Sequence, residues 1–227
     1  MTSRNKRGQI YILMGLVLIT ILTVTLLASS RSSHPSPESV ADIQMVLNME
    51  VERAVLSSLA YASTREDISV AFSQRLRESL IKVEGGHSGA GLSPLLSEAS
   101  SGDGVVSGQT EVQLELSGHG VSRRMTWDIM LEQTVTDKKM LSGPTPQLVT
   151  LQLTIDLFLK VNGASSPSTW RSSKLIYSSG EVECSLVKNF GNGTYVVDAT
   201  LLAGEAYVDL VTVDNNSIKV ETRVSIT

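Results

Sequence analysis

Between Arg7 and Arg31 the chain carries no charged side chain. The run Ile10 to Ala28, IYILMGLVLITILTVTLLA, has no proline, and its polar side chains are Tyr11 and the threonines at 20, 23 and 25. At about 1.5 Å per residue, roughly 20 apolar residues cross a hydrocarbon core. A helix at the edge of a soluble core would keep one polar face, and this run has none. Its threonines can bond back to helix carbonyls, so they cost little in lipid. The run therefore predicts a transmembrane helix over residues 10–29. Arg4, Lys6 and Arg7 precede it, while Arg31 and His34 follow. That asymmetry keeps the N-terminus cytoplasmic and places everything after Ser29 outside. Two other readings stand beside it. A secretory signal would be cut at Ala28-Ser29-Ser30, although the apolar run is longer than such signals use. A buried helix of a soluble domain is the second.

The four residues before the run add a further constraint. Lys6-Arg7-Gly8-Gln9 directly followed by an apolar helix resembles the class III signal peptides of archaeal type IV pilin-like proteins. The resemblance covers about the first 30 residues. It implies a prepilin peptidase-like enzyme that cuts after Gly8 on the cytoplasmic side. Lys6 and Arg7 would be the basic residues before the cut, and Gln9 the new N-terminus. The apolar helix would remain in the mature chain. Many pilins carry Glu five residues into the mature protein, where this chain has Leu13. That departure bears on filament assembly more than on processing. The long outer part is also unlike a small major pilin.

Net charge of -4 offers no basic field for nucleic acid. Cys184 is the one cysteine, so no intramolecular disulfide forms. An outside domain without disulfides is ordinary for prokaryotic surfaces. Aromatic residues are scarce at 4%, which suits β-strands better than an aromatic-lined pocket.

The outer part changes period along its length. Ser29 to Ser36 reads as a polar hinge over 29–36. Ser36, Pro37 and Glu38 then form a helix start. Val40, Ile43, Leu47, Ala54, Val55, Leu59 and Ala62 recur at helical spacing. Ser63-Thr-Arg-Glu66 reads as a capping box opening a second helix, with Ile68, Phe72, Leu76, Leu80 and Val83 as its apolar stripe. Residues 37–84 are thus expected as a helical stalk, and the Gly/Ser-rich residues 85–108 as a linker. Beyond it the period becomes two. Val112, Leu114 and Leu116 alternate with polar residues, as do Trp127, Ile129 and Leu131. A long strand is expected at 148–161, then strands at 194–200, 206–213 and 218–226. Val182, Cys184 and Leu186 are expected on one face of another strand. Turn signals at Asn192-Gly193 and Asp214-Asn215-Asn216 separate the last three. The expected fold class is α+β: transmembrane helix, helical stalk, then an antiparallel β-sandwich-like domain over 109–227. The last strands look similar in pattern to those of immunoglobulin-like domains on prokaryotic surface proteins.

Chemistry is sparse. Gly86-His87-Ser88-Gly89-Ala90 echoes a nucleophile elbow but lacks the strand–turn–helix setting. Ser79 and Lys82 match a serine–lysine pattern without its partner motifs. His34, His87 and His119 lack the paired spacing of metal ligands. Catalytic, cofactor and metal residues are accordingly expected to be none. Trp127 and Trp170 read as sheet packing, or as a glycan platform if exposed together. Two sequons lie in expected turns: Asn192-Gly193-Thr194 and Asn215-Asn216-Ser217. Each asparagine is either a glycan acceptor or the supplier of a left-handed turn conformation. The expectation for the whole is a non-enzymatic, single-pass cell-surface protein, pilin-like and structural or adhesive. It would contact membrane lipid and associate through its apolar helix. The alternative is a membrane-tethered accessory or sensor subunit with a binding β domain.

Overall fold

The computed structural model describes residues 37–226. The leader with Lys6, Arg7, Gly8 and Gln9, the apolar run and the hinge lie outside the described residues. Among the described residues no helix is long and apolar enough to cross a membrane.

Helix α1 spans Pro37–Ala62 and α2 spans Ile68–Gly86. From Leu47 onward α1 buries Leu47, Val51, Ala54, Val55, Leu59 and Ala62, a stripe at three- and four-residue spacing. α2 buries Phe72, Leu76 and Leu80 in the same way. The join between them differs from the expected capping box. Ser63 Oγ donates to the Ala60 carbonyl and Thr64 Oγ1 to the Tyr61 carbonyl, so both hydroxyls close α1. The cap that opens α2 is Asp67, whose carboxylate accepts from the Val70 amide at 3.1 Å. The last-turn carbonyls of α1, which lack a helical i+4 partner, lie nearer and win over the forward amides.

Eleven strands follow, in two antiparallel sheets. The larger runs β1 (Ala90–Gly102), β2 (Val105–Leu116), β3 (Val121–Ser142), β4 (Leu148–Val161), β9 (Thr194–Leu202) and β8 (Ser185–Asn189), with β5 (Ala164–Pro167) also on β4. The smaller runs β11 (Lys219–Ser225), β10 (Tyr207–Asp214), β6 (Trp170–Tyr177) and β7 (Gly180–Glu183). The expected alternation is present: Val112, Leu114, Leu116, Trp127, Ile129 and Leu131 are buried, as are Leu151, Leu153, Ile155 and Leu157 of β4. The β9, β10 and β11 strands lie where the turn signals put them.

Residues 90–102, expected in the linker, are strand β1, paired with β2 from Ala90↔Leu116 to Gly102↔Val105. An edge strand needs only its inner neighbour, so a polar, serine-rich composition suffices. The ladder to β2 and the bond from Ser73 Oγ to the Ser97 carbonyl at 2.9 Å hold it. Tertiary pairing here overrides a weak local preference.

The chain divides into two compact units, Met1–Val46 and Leu47–Thr227. The second contains most of α1, all of α2 and every strand. From Leu47 onward, the residues expected as a stalk (37–84), a linker (85–108) and a β domain (109–227) share this one unit. One face of the large sheet explains why. Its β2–β3 end receives the helices, and a Cβ built on Gly108 would lie 3.1 Å from Leu59 Cδ1 and 3.3 Å from the Phe72 ring. Farther along the same face, Gln133 Nε2 donates to Thr222 Oγ1 of β11 at 2.8 Å. Helices and small sheet thus share one face, and the Lys219 amide joins them by donating to Ser63 Oγ at 2.9 Å. The result is an antiparallel β-sandwich-like unit whose second layer is part helix and part sheet.

Candidate functional site

The two sequons are the sequence-derived site residues that fall within the described structure. They are 23 residues apart by number, yet the segment 167–169, from the last residue of β5 to the start of β6, touches both turns. A Cβ on Gly193 would lie 3.2 Å from Pro167 Cβ, and the Leu157 amide donates to the Gly193 carbonyl at 2.8 Å. On the other side the Asn215 amide donates to the Thr169 carbonyl at 2.9 Å. Ser168 lies between. Its amide donates to Leu157 and its hydroxyl donates to Asp214 Oδ2 at 2.9 Å, while Tyr195 Oη donates to its carbonyl. Both sequons therefore occupy the same end of the sandwich.

Asp214 organises that end and escaped the sequence reading. It is fully buried, and its carboxylate accepts from Ser168 Oγ, Asn216 Nδ2 and the Ile218 amide, each at 2.9 Å. A buried carboxylate needs such a full set of donors. The sequence signal was only an Asp at a turn start, which is common and carries no burial information.

The acceptor asparagines are both exposed. Asn192 Oδ1 accepts from the Thr194 amide at 3.2 Å, and Thr194 Oγ1 donates to Asp156 Oδ1 at 2.6 Å. Asn215 Oδ1 accepts from Asn216 Nδ2 at 3.3 Å, and Ser217 Oγ accepts from Arg171 Nη1 at 2.8 Å. Neither asparagine has positive φ; the left-handed positions are Gly191 and Gly193 in one turn and Ser217, at 66°, in the other.

The remaining candidates do not assemble. His87 Nε2 lies 2.7 Å from Glu50 Oε2, and His119 sits in the β2–β3 turn. The sequence Gly86 to Ala90 joins a helix to a strand, the reverse of a nucleophile elbow. Ser79 is half-buried and Lys82 exposed on α2. Among the described residues no three His, Cys, Asp or Glu side chains are placed to hold a metal. Trp127 is buried, and Trp170 Nε1 donates to Ser173 Oγ, so the two do not form an exposed platform. The cleft beside β11, about 450 Å³, is lined by Asp103, Asp209, Glu221 and Arg223. Arg223 Nε donates to Asp209 at 3.0 Å and its amide donates to Asp103 at 2.8 Å, so these groups tie the β1–β2 turn to β11.

Cys184 departs from its expected place. β7 pairs with β6 in the small sheet, and β8 pairs with β9 in the large one. Cys184 is the residue between them, with its amide donating to the Ser173 carbonyl. It is half-buried, and Leu186 is exposed. The alternation that suggested one strand face crosses from one sheet to the other. Burial, reinforced by the charges of Glu183 and Asp198, pushes the thiol up to about 12.

Comparison of the chain with protein families, curated proteins and solved structures finds no match in any of the three.

Proposed function

We propose that this chain is a non-enzymatic, single-pass surface protein of the archaeal pilin-like class, which presents its β-sandwich-like unit outside the cell as a structural or adhesive element. The observation that carries this reading is Lys6-Arg7-Gly8-Gln9 abutting an uncharged run of transmembrane length. Strand order lends support to the immunoglobulin-like resemblance. β3-β4-β9-β8 against β11-β10-β6-β7 corresponds to an A-B-E-D sheet against G-F-C with one further strand beside C. That architecture carries many functions, so it supports a display role without naming a ligand. Mass spectrometry of the mature N-terminus tests the proposal. A chain beginning at Gln9 is expected. One beginning at Arg31, or retaining Met1, overturns the class III reading.

One observation favours the accessory-subunit reading. Val70 and Ile81 of α2 are 61% and 68% exposed, on either side of Ser73, Gln74 and Arg77 in a shallow surface depression. A partner helix laid there would cover both. Gentle extraction of the full chain distinguishes the two: a stoichiometric second protein supports the accessory role, and self-association alone supports the pilin-like one.

A further inference from the structure

The geometry points to a single sugar-bearing end of the molecule, with N-linked glycans on both Asn192 and Asn215. This rests on the reading that residues beyond the apolar run lie outside the cell. Three observations carry it. First, the left-handed explanation of the asparagines fails on backbone geometry, although Asn192 does cap the Thr194 amide as an Asx turn. An asparagine kept for its left-handed conformation would have positive φ, and neither does. Secondly, the acceptor nitrogens are available. The side-chain oxygen of each asparagine holds a hydrogen bond, while neither Nδ2 has a partner among the described residues. Both side chains are exposed.

Thirdly, residue 217 is a serine where the backbone asks for glycine. Its φ of 66° is a conformation that glycine or asparagine adopts more readily. The chain keeps a hydroxyl there at a conformational cost, two residues after Asn215. The acceptor motif requires a hydroxyl at that spacing. Thr194 supplies it for Asn192, with its hydroxyl oriented by Asp156.

The chemistry is a glycosyl transfer. The donor is an oligosaccharide activated as a phosphate ester and delivered by a separate transferase. The asparagine nitrogen attacks the sugar's anomeric carbon. A C–N bond forms, the C–O bond to phosphate breaks, and one amide proton passes to the transferase's base. Because the segment 167–169 binds both turns, the two glycans would crowd one end. They would keep that end out of any protein interface.

The test is the intact mass of the full chain, purified from the envelope of its own cells, with glycopeptide mapping. Two sugar increments are expected, one on each asparagine. Ser217→Gly should lose the increment at Asn215 and remain folded, because it also relieves the left-handed strain. Asn192→Asp keeps the oxygen that caps the Thr194 amide and should lose the other increment. Thr194→Ser should keep both. Protease treatment of intact cells reads location separately. A chain that is cleaved from outside yet has the bare polypeptide mass overturns the glycan proposal and leaves the surface location standing. A protected chain overturns the surface location and the glycans with it. Persistence of the Asn215 increment in Ser217→Gly would also overturn the assignment.

Discussion

Gly104 shows how one residue can link the two layers. Its φ is 73°, and a Cβ there would lie 2.6 Å from the Gln133 carbonyl oxygen. Its amide donates to Glu221 of β11, and its carbonyl accepts from the Gln133 amide of β3. Gly104→Ala combines left-handed strain with a backbone clash, so unfolding free energy should fall by about 2–4 kcal/mol. Urea denaturation of residues 37–227 measures it; an unchanged midpoint would refute the account. Nothing around Gly104 in the sequence announced this, since a Gly in a Ser/Gly-rich run looks like any linker glycine. Cys184, expected on a strand face, lies between β7 and β8 instead. With its thiol pushed from 9.0 to about 12, the thiolate fraction near neutral pH falls about 1000-fold. A more basic thiolate is a better nucleophile, which recovers roughly 16- to 32-fold. Alkylation of the folded protein should thus run at least about tenfold slower than in denaturant. Equal rates would show an accessible, ordinary thiol. The sign for stability follows from the same shift. The folded value lies above the unfolded one, so stability present below about pH 9 is lost as pH rises through about 12.

At the scale of elements, periodic apolar spacing was readable wherever burial is one-sided. β2, β3 and β4 alternate because one face meets the helices or the small sheet and the other meets water. β1 was missed, and β8 was merged with β7 into one expected strand, because neither shows a one-sided apolar pattern: β1 past its first residues is largely exposed, and β8 is exposed throughout. Such an exposed edge is specified by its neighbour's free hydrogen bonds, whereas the edge strand β11 buries Val220 and Val224 and was readable. The helical spacing was equally visible, but not what it packs against. Phe72 is fully buried, with its ring over Gly108 of β2. Phe72→Ala should cost about 3–5 kcal/mol. It should also loosen both helices from the sheet, readable as faster amide exchange in α1 beyond Leu47, in α2 and in β1. If the helices formed a stalk independent of the strands, exchange in β1 and β2 would not change, and the shared core would be refuted. Asp67→Ala is the milder companion, removing one cap bond for about 1 kcal/mol.

For the molecule as a whole, the strand-rich unit was visible in the change of period, while its join to the helices was not, because layer packing is a property of faces rather than of windows of sequence. The sequon end was half-visible: each turn was marked by its asparagine, but their convergence depends on Ser168 and Asp214, which bring together segments distant along the chain. On the proposed surface-protein reading, what each part offers says where self-association would reside. The β-rich unit has no cysteine pair to lock a partner, its charges are mixed, and β8, one of its edge strands, is short, carries Lys188 and is interrupted by a register shift at Leu186/Lys188. Those features discourage strand-to-strand association. The apolar run offers Gly15 for close approach and threonines at 20 and 23 for bonding between helices, features that suit lateral packing in lipid. Residues 37–227 expressed alone are therefore expected to be soluble and monomeric, whereas the full chain associates in membranes or detergent. Gly15→Ile should weaken that association without altering the unfolding of the β-rich unit, since a bulky side chain would hold apart helices expected to pack through that small residue. Sedimentation of the three proteins is the measurement. The same oligomer from 37–227 as from the full chain would move assembly to the β-rich unit, and α2 with its exposed Val70 and Ile81 would then be the first face to mutate.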